Sequence, residues 1–447
     1  MAKPKKQSRR QFLASTAAVS AAAFAAPYVK RAHAAGSITV GFWDHWVPGA
    51  NDALQSLVDA WSKKENVEVK VDFITSQGNK ILLTQAAQAQ ARSGHDILAF
   101  PTWYPAQYAE QLEPMNDIVD QLVAQNGAVN GTVEYLGKVD GKWLGVPATA
   151  GSQMKGPCSR IDLLKQHAGI DIQAIYPAGA APQADDWNLD TFMAAAKACH
   201  AGGNPIGIGL GSTSDSVDSI GAFFHAFGAR LVDENGDITV DTDEVRNALA
   251  YLSELGPLLA PDAPAWDDSS NNKWLVSGRG SMIMNPPSAW AVAKRDAPHI
   301  AEQCWSHGFP AGPNGRFGPF LPYFWGVWSF GRNKEASKSL LVHLSQEESA
   351  RAMVEASGGY DIPSFANLTK FDTWAKVEPP KGTLYHYPDP HGHQVLSIAA
   401  APAPHKIAVQ IYAQGVMPKM VVRMMQGESM KDAMRWAENE VEGFMRT

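Results

Sequence analysis

With three cysteines in 447 residues, and none near another, this chain has no disulfide framework. Cys158, Cys199 and Cys304 form no CxxC pair, and an odd count leaves at least one thiol free, so buried free cysteines are expected. No apolar run after Ala35 is long enough to cross a bilayer, which takes about 20 residues. There is no nucleophile motif and no dinucleotide fingerprint. The glycine-rich stretch from Gly202 to Gly211 lacks the Lys-Ser/Thr ending of a phosphate loop and reads as a flexible connection. Positive charge is scarce as well, and much of it lies at the start of the chain. Residues 1–34 carry seven Lys or Arg and no acid, so their removal takes the formal net charge from −7 to −14. So acidic a remainder argues against nucleic acid or anionic lipid as a partner.

The basic start has an order of its own. Ser8-Arg-Arg-Gln-Phe-Leu-Ala14 resembles the twin-arginine export motif, and an uncharged apolar segment follows from Phe12 to Ala26. Then come Lys30-Arg31 and the small-residue site Ala32-His33-Ala34. A charged start, a short apolar middle and an A-x-A site make a signal peptide over residues 1–34, cleaved near Ala34/Ala35. The expectation is a periplasmic protein exported folded by the twin-arginine machinery. The 413 residues that remain exceed one ordinary core, so two lobes are expected.

Ser37–Phe42, Val67–Phe73 and Asp96–Phe100 read as strands, separated by amphipathic helices that begin near Asn51, a candidate cap, and near Asn79. A β-α-β-α-β order implies a parallel sheet with right-handed crossovers, and ligands gather outside the carboxyl ends of such strands. Those ends read Phe42-Trp43-Asp44-His45-Trp46 and Phe100-Pro101-Thr102-Trp103-Tyr104, rich in aromatics. Downstream, helices are expected near 159–167, 190–200, 216–227 and 243–255, a strand over 323–330, a helix over 334–348 and a last helix over 429–445. Asp233-Glu-Asn-Gly-Asp237 begins like a calcium loop, but the sixth position is Ile238 where glycine is needed, so it reads as a hairpin turn.

A family resemblance rests on a series of short stretches in order. They are Asp96-Ile-Leu, Tyr108-Ala-Glu-Gln-Leu-Glu-Pro-Met115, Gly141-Lys-Trp-Leu-Gly-Val-Pro147, Trp187-Asn-Leu-Asp-Thr-Phe192, Ser277-Gly-Arg-Gly-Ser-Met282, the loop ending Pro313-Asn-Gly315, Lys334-Glu-Ala336 and Gly427-Glu-Ser-Met430. Together they make the chain similar to extracellular solute-binding proteins of ABC transporters, family 1, the carbohydrate-uptake type. The resemblance implies an α/β two-lobed periplasmic binding protein fold (type II), with ligand in the interlobe cleft and hinge closure around it. It implies a first lobe at 37–147 plus 308–360 and a second at 148–307 plus 361–447. It also implies ABC permease subunits as partners, a monomer as the suitable state, no cofactor and no enzymatic activity. Pro286-Pro-Ser-Ala-Trp290 departs from the Gly-Pro-Trp or Gly-Asp-Trp pattern of many relatives.

A sugar has polar edges and an apolar C–H face, so its site needs flat aromatic platforms and fixed hydrogen-bond partners. Trp43, Trp46, Trp103, Trp290 and Trp325 are the stacking candidates, weighed against ordinary core packing. Asp44, His45 and Asp361 are the polar candidates, with Tyr104, Tyr323 and Tyr360 able to serve either way; Asp44 competes with a role as a cap. Gly358-Gly-Tyr-Asp-Ile-Pro363 looks like a stretch where relatives cross between lobes near the ligand. Arg279 and Arg316 are candidates for gripping an anion. His386, His391 and His393 with Asp389 crowd one loop, where an exposed or hydrogen-bonded cluster is favoured over a metal site. A sugar or sugar-like polyol is the favoured ligand, with a glycerol-phosphate anion, a polyamine or a chelated metal as alternatives. The rival from another class is an exported glycosidase working with two cleft carboxylates.

Overall fold

The structure is a computed structural model that describes residues 36–177, 181–284, 286–373 and 395–446. The histidine-rich loop with His386, Asp389, His391 and His393 lies outside the described residues, as does the segment 1–35. The chain opens with β1 (Ser37–Trp43), α1 (Ala50–Glu65), β2 (Glu68–Ile74), α2 (Lys80–Ala91) and β3 (Ile97–Pro101). β1 pairs in parallel with both β2 and β3, the arrangement expected from the β-α-β-α-β order. Leu54, Val58 and Trp61 bury one face of α1. Asn51 does not cap that helix. The cap position is Gly49, and Asn51 instead ties the preceding loop, accepting from His45 N–H and donating to Asp44 Oδ1.

A short hairpin, β4 (Lys138–Val139) and β5 (Lys142–Trp143), leads into β6 (Val146–Met154) and β7 (Pro157–Arg160). β6 belongs to the first sheet. β7 begins the second, a three-stranded sheet with β8 (Met282–Met284) and β9 (Cys304–Ser306) on either side. The chain then returns to the first sheet as β10 (Phe317–Val327), antiparallel to β3 and to β6, with β11 (Val395–Ser397) on its edge. β10 starts six residues before the expected strand at Tyr323, through Pro319 and Pro322. Prolines fit here because the neighbours use only their carbonyls: Pro322 O accepts from Thr102 N–H and Pro319 O from Lys155 N–H, both at 2.8 Å.

Around the second sheet lie α3 (Leu189–Ala201), α4 (Ser214–Ala226), α5 (Asp243–Leu255), α6 (Ser270–Val276) and α7 (Pro286–Asp296). The expected helix at 334–348 is two, α8 (Lys334–Leu344) and α9 (Glu347–Ala356), both packed on α1. α10 (His405–Ala413), α11 (Val416–Met425) and α12 (Met430–Met445) close the chain, with α11 against α4 and α5 and Ser429 capping α12. Asp233 accepts from the N–H groups of Asn235 and Asp237, and Val232 pairs with Ile238, so the calcium-like stretch is a hairpin turn. Gly202–Gly211 is not a flexible connection. Ile206 and Gly207 bridge to Leu259 and Ile283, and a Cβ at Gly207 would lie 2.5 Å from Trp274 and 2.7 Å from Trp266. Glycine is there so that two indoles can pack on the backbone. Cys158, Cys199 and Cys304 are all buried and free.

Candidate functional site

β1 and β10 carry their last residues to one edge of the first sheet. From β1 and the loop after it come Trp43, His45 and Trp46; from β10 comes Tyr323. The segment after α9 lays Tyr360 and Asp361 beside them. Trp43 stands 5.4 Å from Tyr323 and 6.0 Å from Tyr360 between ring centroids, and the His45 ring is 4.8 Å from both Trp43 and Tyr360. Asp361 organises this group from beneath. It is buried, and its Oδ1 accepts from Gly151 N–H at 2.8 Å and meets His45 Nε2 at 3.0 Å. Gly151 has a positive φ of 91°, and a Cβ there would lie 2.9 Å from Tyr323 and 3.1 Å from Trp43. A glycine on β6 therefore lets two rings close over the backbone while its N–H fixes the aspartate.

This cluster is one wall of a narrow cavity of about 30 Å³, room for roughly one water. Trp43, Trp46 and Tyr323 line it from the first sheet, and Asp215 and Asp268 face them from α4 and the turn before α6. Gln153 of β6 lies on the same cavity, near the point where the chain crosses between sheets. Three polar atoms here are enclosed without a hydrogen-bond partner among the described residues: Trp43 Nε1, Gln153 Oε1 and Asp268 Oδ1. They offer one donor and two acceptors to whatever enters.

Behind the acidic wall sits Lys155, wholly buried, with its Nζ 2.6 Å from Asp215 Oδ1 and 2.9 Å from Asp218 Oδ2. Burial alone would strip its proton, but the Asp215 and Asp218 carboxylates outweigh that and raise the ammonium pKa above its ordinary value. Asp215 Oδ2 accepts in addition from Asn271 Nδ2 at 2.8 Å. Asp268 has no such cation in contact. Burial first, then the Asp215 charge, push its carboxyl up to about 7, against the pull of Lys155. The phenols of Tyr104 and Tyr323 are raised as well, by burial first and then by neighbouring phenol and carboxylate charges, Asp268 among them.

Of the residues expected from the sequence, Trp43, Trp46 and Tyr323 line the cavity, and His45, Tyr360 and Asp361 support it from below. Asp44 is a loop tie, its Oδ1 accepting from Asn51. Two expected platforms are core instead. Trp103 is fully buried, donating to Ala399 O at 2.8 Å, and Trp325 packs against Phe42 beneath the sheet. Tyr104 is buried and edge-on to Tyr412. Trp290 sits on α7 with the Lys294 ammonium over its ring at 5.0 Å, away from the cavity. Neither arginine lines this cavity: Arg316 is buried, donating to the carbonyls of Trp187, Phe309 and Ala184, and Arg279 lies over Trp274. Asp215, Asp268, Gln153, Lys155 and Gly151 were not expected at the site. The spacing Asp215-x-x-Asp218 just after a Thr213 helix cap was the one sequence signal, since it places two acids on one helix turn. Among the described residues, no cluster of His, Cys, Asp or Glu can hold a metal ion.

Residues 56–379 match the family described as bacterial extracellular solute-binding protein. A Deinococcus radiodurans protein described as a probable ABC transporter-binding protein is 26% identical over 381 residues, covering 81% of this chain and 83% of that one. The fold is similar to maltose-bound MalE3 of T. maritima, with a TM-score of 0.72 at 17% identity over 91% of this chain and 99% of the other. It is equally similar to an ABC transporter solute-binding protein of Thermotoga lettingae bound with α-D-tagatose, with a TM-score of 0.72 at 17% identity over 92% and 100%.

Proposed function

Because this chain belongs to the bacterial extracellular solute-binding proteins and is the solute-binding component of an ABC transporter, we propose that its solute is a sugar or sugar-like polyol held in the cavity between the two sheets. The observation that carries the proposal is the composition of that cavity. Indole and phenol rings from one side face carboxylates from the other, with Trp43 Nε1, Gln153 Oε1 and Asp268 Oδ1 enclosed and unpartnered. Rings suit the C–H face of a sugar, and fixed donors and acceptors suit its hydroxyl edge. The sugars named for the two structural neighbours, maltose and tagatose, support the same class.

The expected bounds were 37–147 plus 308–360 and 148–307 plus 361–447; in this reading the first lobe extends through β6 to Met154, which pairs with β10. Residues 361–373 lie back on the first lobe, where Val129 pairs with Phe365. The crossings are at β6–β7, between β9 and β10, and near Asp361. At about 30 Å³ the space between the walls is too small for a sugar ring, so the solute enters with the walls apart, and it favours the form in which both walls touch it. The basic segment before Ala35 directs twin-arginine export to the periplasm and is cleaved near Ala34/Ala35, and permease subunits receive the loaded protein. The binding residues proposed are Trp43, Trp46, Tyr323, Gln153, Asp215 and Asp268, with His45, Tyr360 and Asp361 holding them in place.

A thermal-melting screen of the protein from Ala35 against sugars, polyols, glycerol phosphates and polyamines tests this. A ligand specific for the folded state adds about 2.7 kcal/mol at one hundred times its dissociation constant, so a true solute raises Tm plainly. A shift with hydroxylated solutes supports the reading. A shift with anions alone, or turnover of chromogenic glycosides, overturns it.

A further inference from the structure

The charges lining the cavity do not balance. Lys155 is the cation nearest the site, and both Asp215 and Asp218 already hold it, at 2.6 and 2.9 Å. Asp268 forms no ion pair among the described residues, and its Oδ1 is enclosed without a hydrogen bond. Arg316, a buried cation the sequence offered for an anion, is engaged with backbone carbonyls elsewhere. Two further atoms on the cavity point to a ligand independently of the acids. Trp43 Nε1 and Gln153 Oε1 belong to side chains only 6% and 5% exposed, and each lacks a partner.

We propose that the solute carries an ammonium group on a hydroxylated frame, and that the carboxylate of Asp268 is its counter-charge. The inference rests on the solute-binding reading above and narrows its ligand. Beside a neutral sugar the enclosed Asp268 carboxyl must either hold its proton or carry a charge with no counter-ion; an ammonium lets it ionise with a partner in place. An ammonium has three protons to donate, and Asp268 Oδ1 and Gln153 Oε1 are two free acceptors on this cavity. The faces of Trp43, Trp46 and Tyr323 attract cations, most strongly at Trp. Trp43 Nε1 is left to donate to a hydroxyl. An anionic solute would meet two carboxylates and no unspent cation.

The raised carboxyl of Asp268 fits this account, because burial and the Asp215 charge lift it where no cation answers. A bound ammonium pulls it back down, so binding near pH 7 releases a fraction of a proton from Asp268, offset in part by what the amine takes up. The other titratable groups facing it are Asp215, Lys155, and the phenols of Tyr104 and Tyr323. Those phenols are pushed up by burial, and the carboxylates near Lys155 keep its ammonium charged.

Calorimetric titration at pH 7 in two buffers of different protonation enthalpy reads both affinity and proton release. The probes are glucosamine, N-acetylglucosamine, glucose and putrescine, against the wild-type protein and Asp268→Asn. Glucosamine is expected to bind at least tenfold tighter than the two neutral sugars and to release protons. Asp268→Asn, checked for an intact melting transition, is expected to erase glucosamine's preference over the neutral sugars and the proton release. Equal or tighter binding of a neutral sugar overturns the inference and leaves the sugar-transport reading standing. Putrescine binding tightest overturns the hydroxylated frame. Silence from all four probes overturns the inference, and the transport reading falls with it only if the broad melting screen is silent too.

Discussion

Acid weakens this fold by an amount the buried titratable groups determine, and exchanging one of them changes the slope predictably. His307 is buried, with Nδ1 on Gly308 O at 3.0 Å and Nε2 on Ser159 Oγ at 2.7 Å. The neutral ring that fits carries its proton on Nδ1, donates it to the carbonyl, and accepts from the serine. His225 is likewise placed between Ser397 Oγ and Ala401 O. Burial holds His307 down to about 3 and His225 to about 4, with the carbonyl contacts working the other way. Both lie below the ordinary value of 6.5, so as pH falls the unfolded chain binds these protons first. Their stabilisation is complete above about pH 6.5 and is lost at about 1.4 kcal/mol per pH unit for each, down to about pH 4. Asp268 has the opposite sign. Its carboxyl, raised to about 7, takes its proton in the folded protein first, so stability rises by about the same increment per unit as pH falls from 7 toward 3.8. Other shifted groups, Asp218 raised by burial and His343 lowered by it, contribute to the wild-type slope as well, so the prediction between about pH 6.5 and 4 lies in the change each exchange makes. Urea midpoints measured across that window give the slope. Asp268→Asn removes a compensating group and should steepen it by about 1.4 kcal/mol per unit; His307→Gln should flatten it by about the same amount. If the three proteins have the same slope, or Asp268→Asn has the shallower one, the charge assignments around the cavity are refuted.

Other perturbations separate the scaffold from the site. Lys155→Met leaves Asp215 and Asp218 buried together with no cation, and breaking a pair of this kind costs about 3–5 kcal/mol of unfolding free energy; adding Asp218→Asn should restore part of it in the same urea titration. Gly151→Ala meets both a positive φ of 91° and the Tyr323 ring, so melting should show a loss of about 1–2 kcal/mol or more, and affinity for the solute should fall because Trp43 and Tyr323 must move.

Much of the first sheet was legible because its signals are local. Alternation over Val67–Phe73, helix formers after Asn79 and the rule that parallel strands present ligands at their carboxyl ends led to Trp43, Trp46 and the loop between them. The His45–Asp361 contact joins residues 316 apart in sequence, yet both had been picked out, one from a strand end and the other from a resemblance to crossing segments. Trp103 and Trp325 lie in the core and off the cavity for a physical reason. An indole at a strand end can lie on the cleft side of the sheet or be enclosed by elements that pack over it. Ala399 covers Trp103 from the far end of the chain, and no local pattern records that. The acidic wall was illegible in the same sense. Asp215 and Asp268 read as a helix-start acid and a turn residue, and Gln153 as one more polar residue on a strand. Only the way the second sheet faces the first brings them to one cavity. The glycines show the limit most directly: Gly151 and Gly207 look like flexible positions in sequence, and each marks a close approach of two aromatic rings.

The claim that solute lies between these walls is tested most directly at Trp46, which lines the cavity while remaining only half-buried, so its loss should leave the fold intact. The best ligand from the melting screen, titrated calorimetrically into wild type and Trp46→Ala, is predicted to bind the variant at least tenfold more weakly, about 1.4 kcal/mol, with the melting temperature of the free protein little changed. An unchanged dissociation constant would contradict the account and place the solute elsewhere on the molecule.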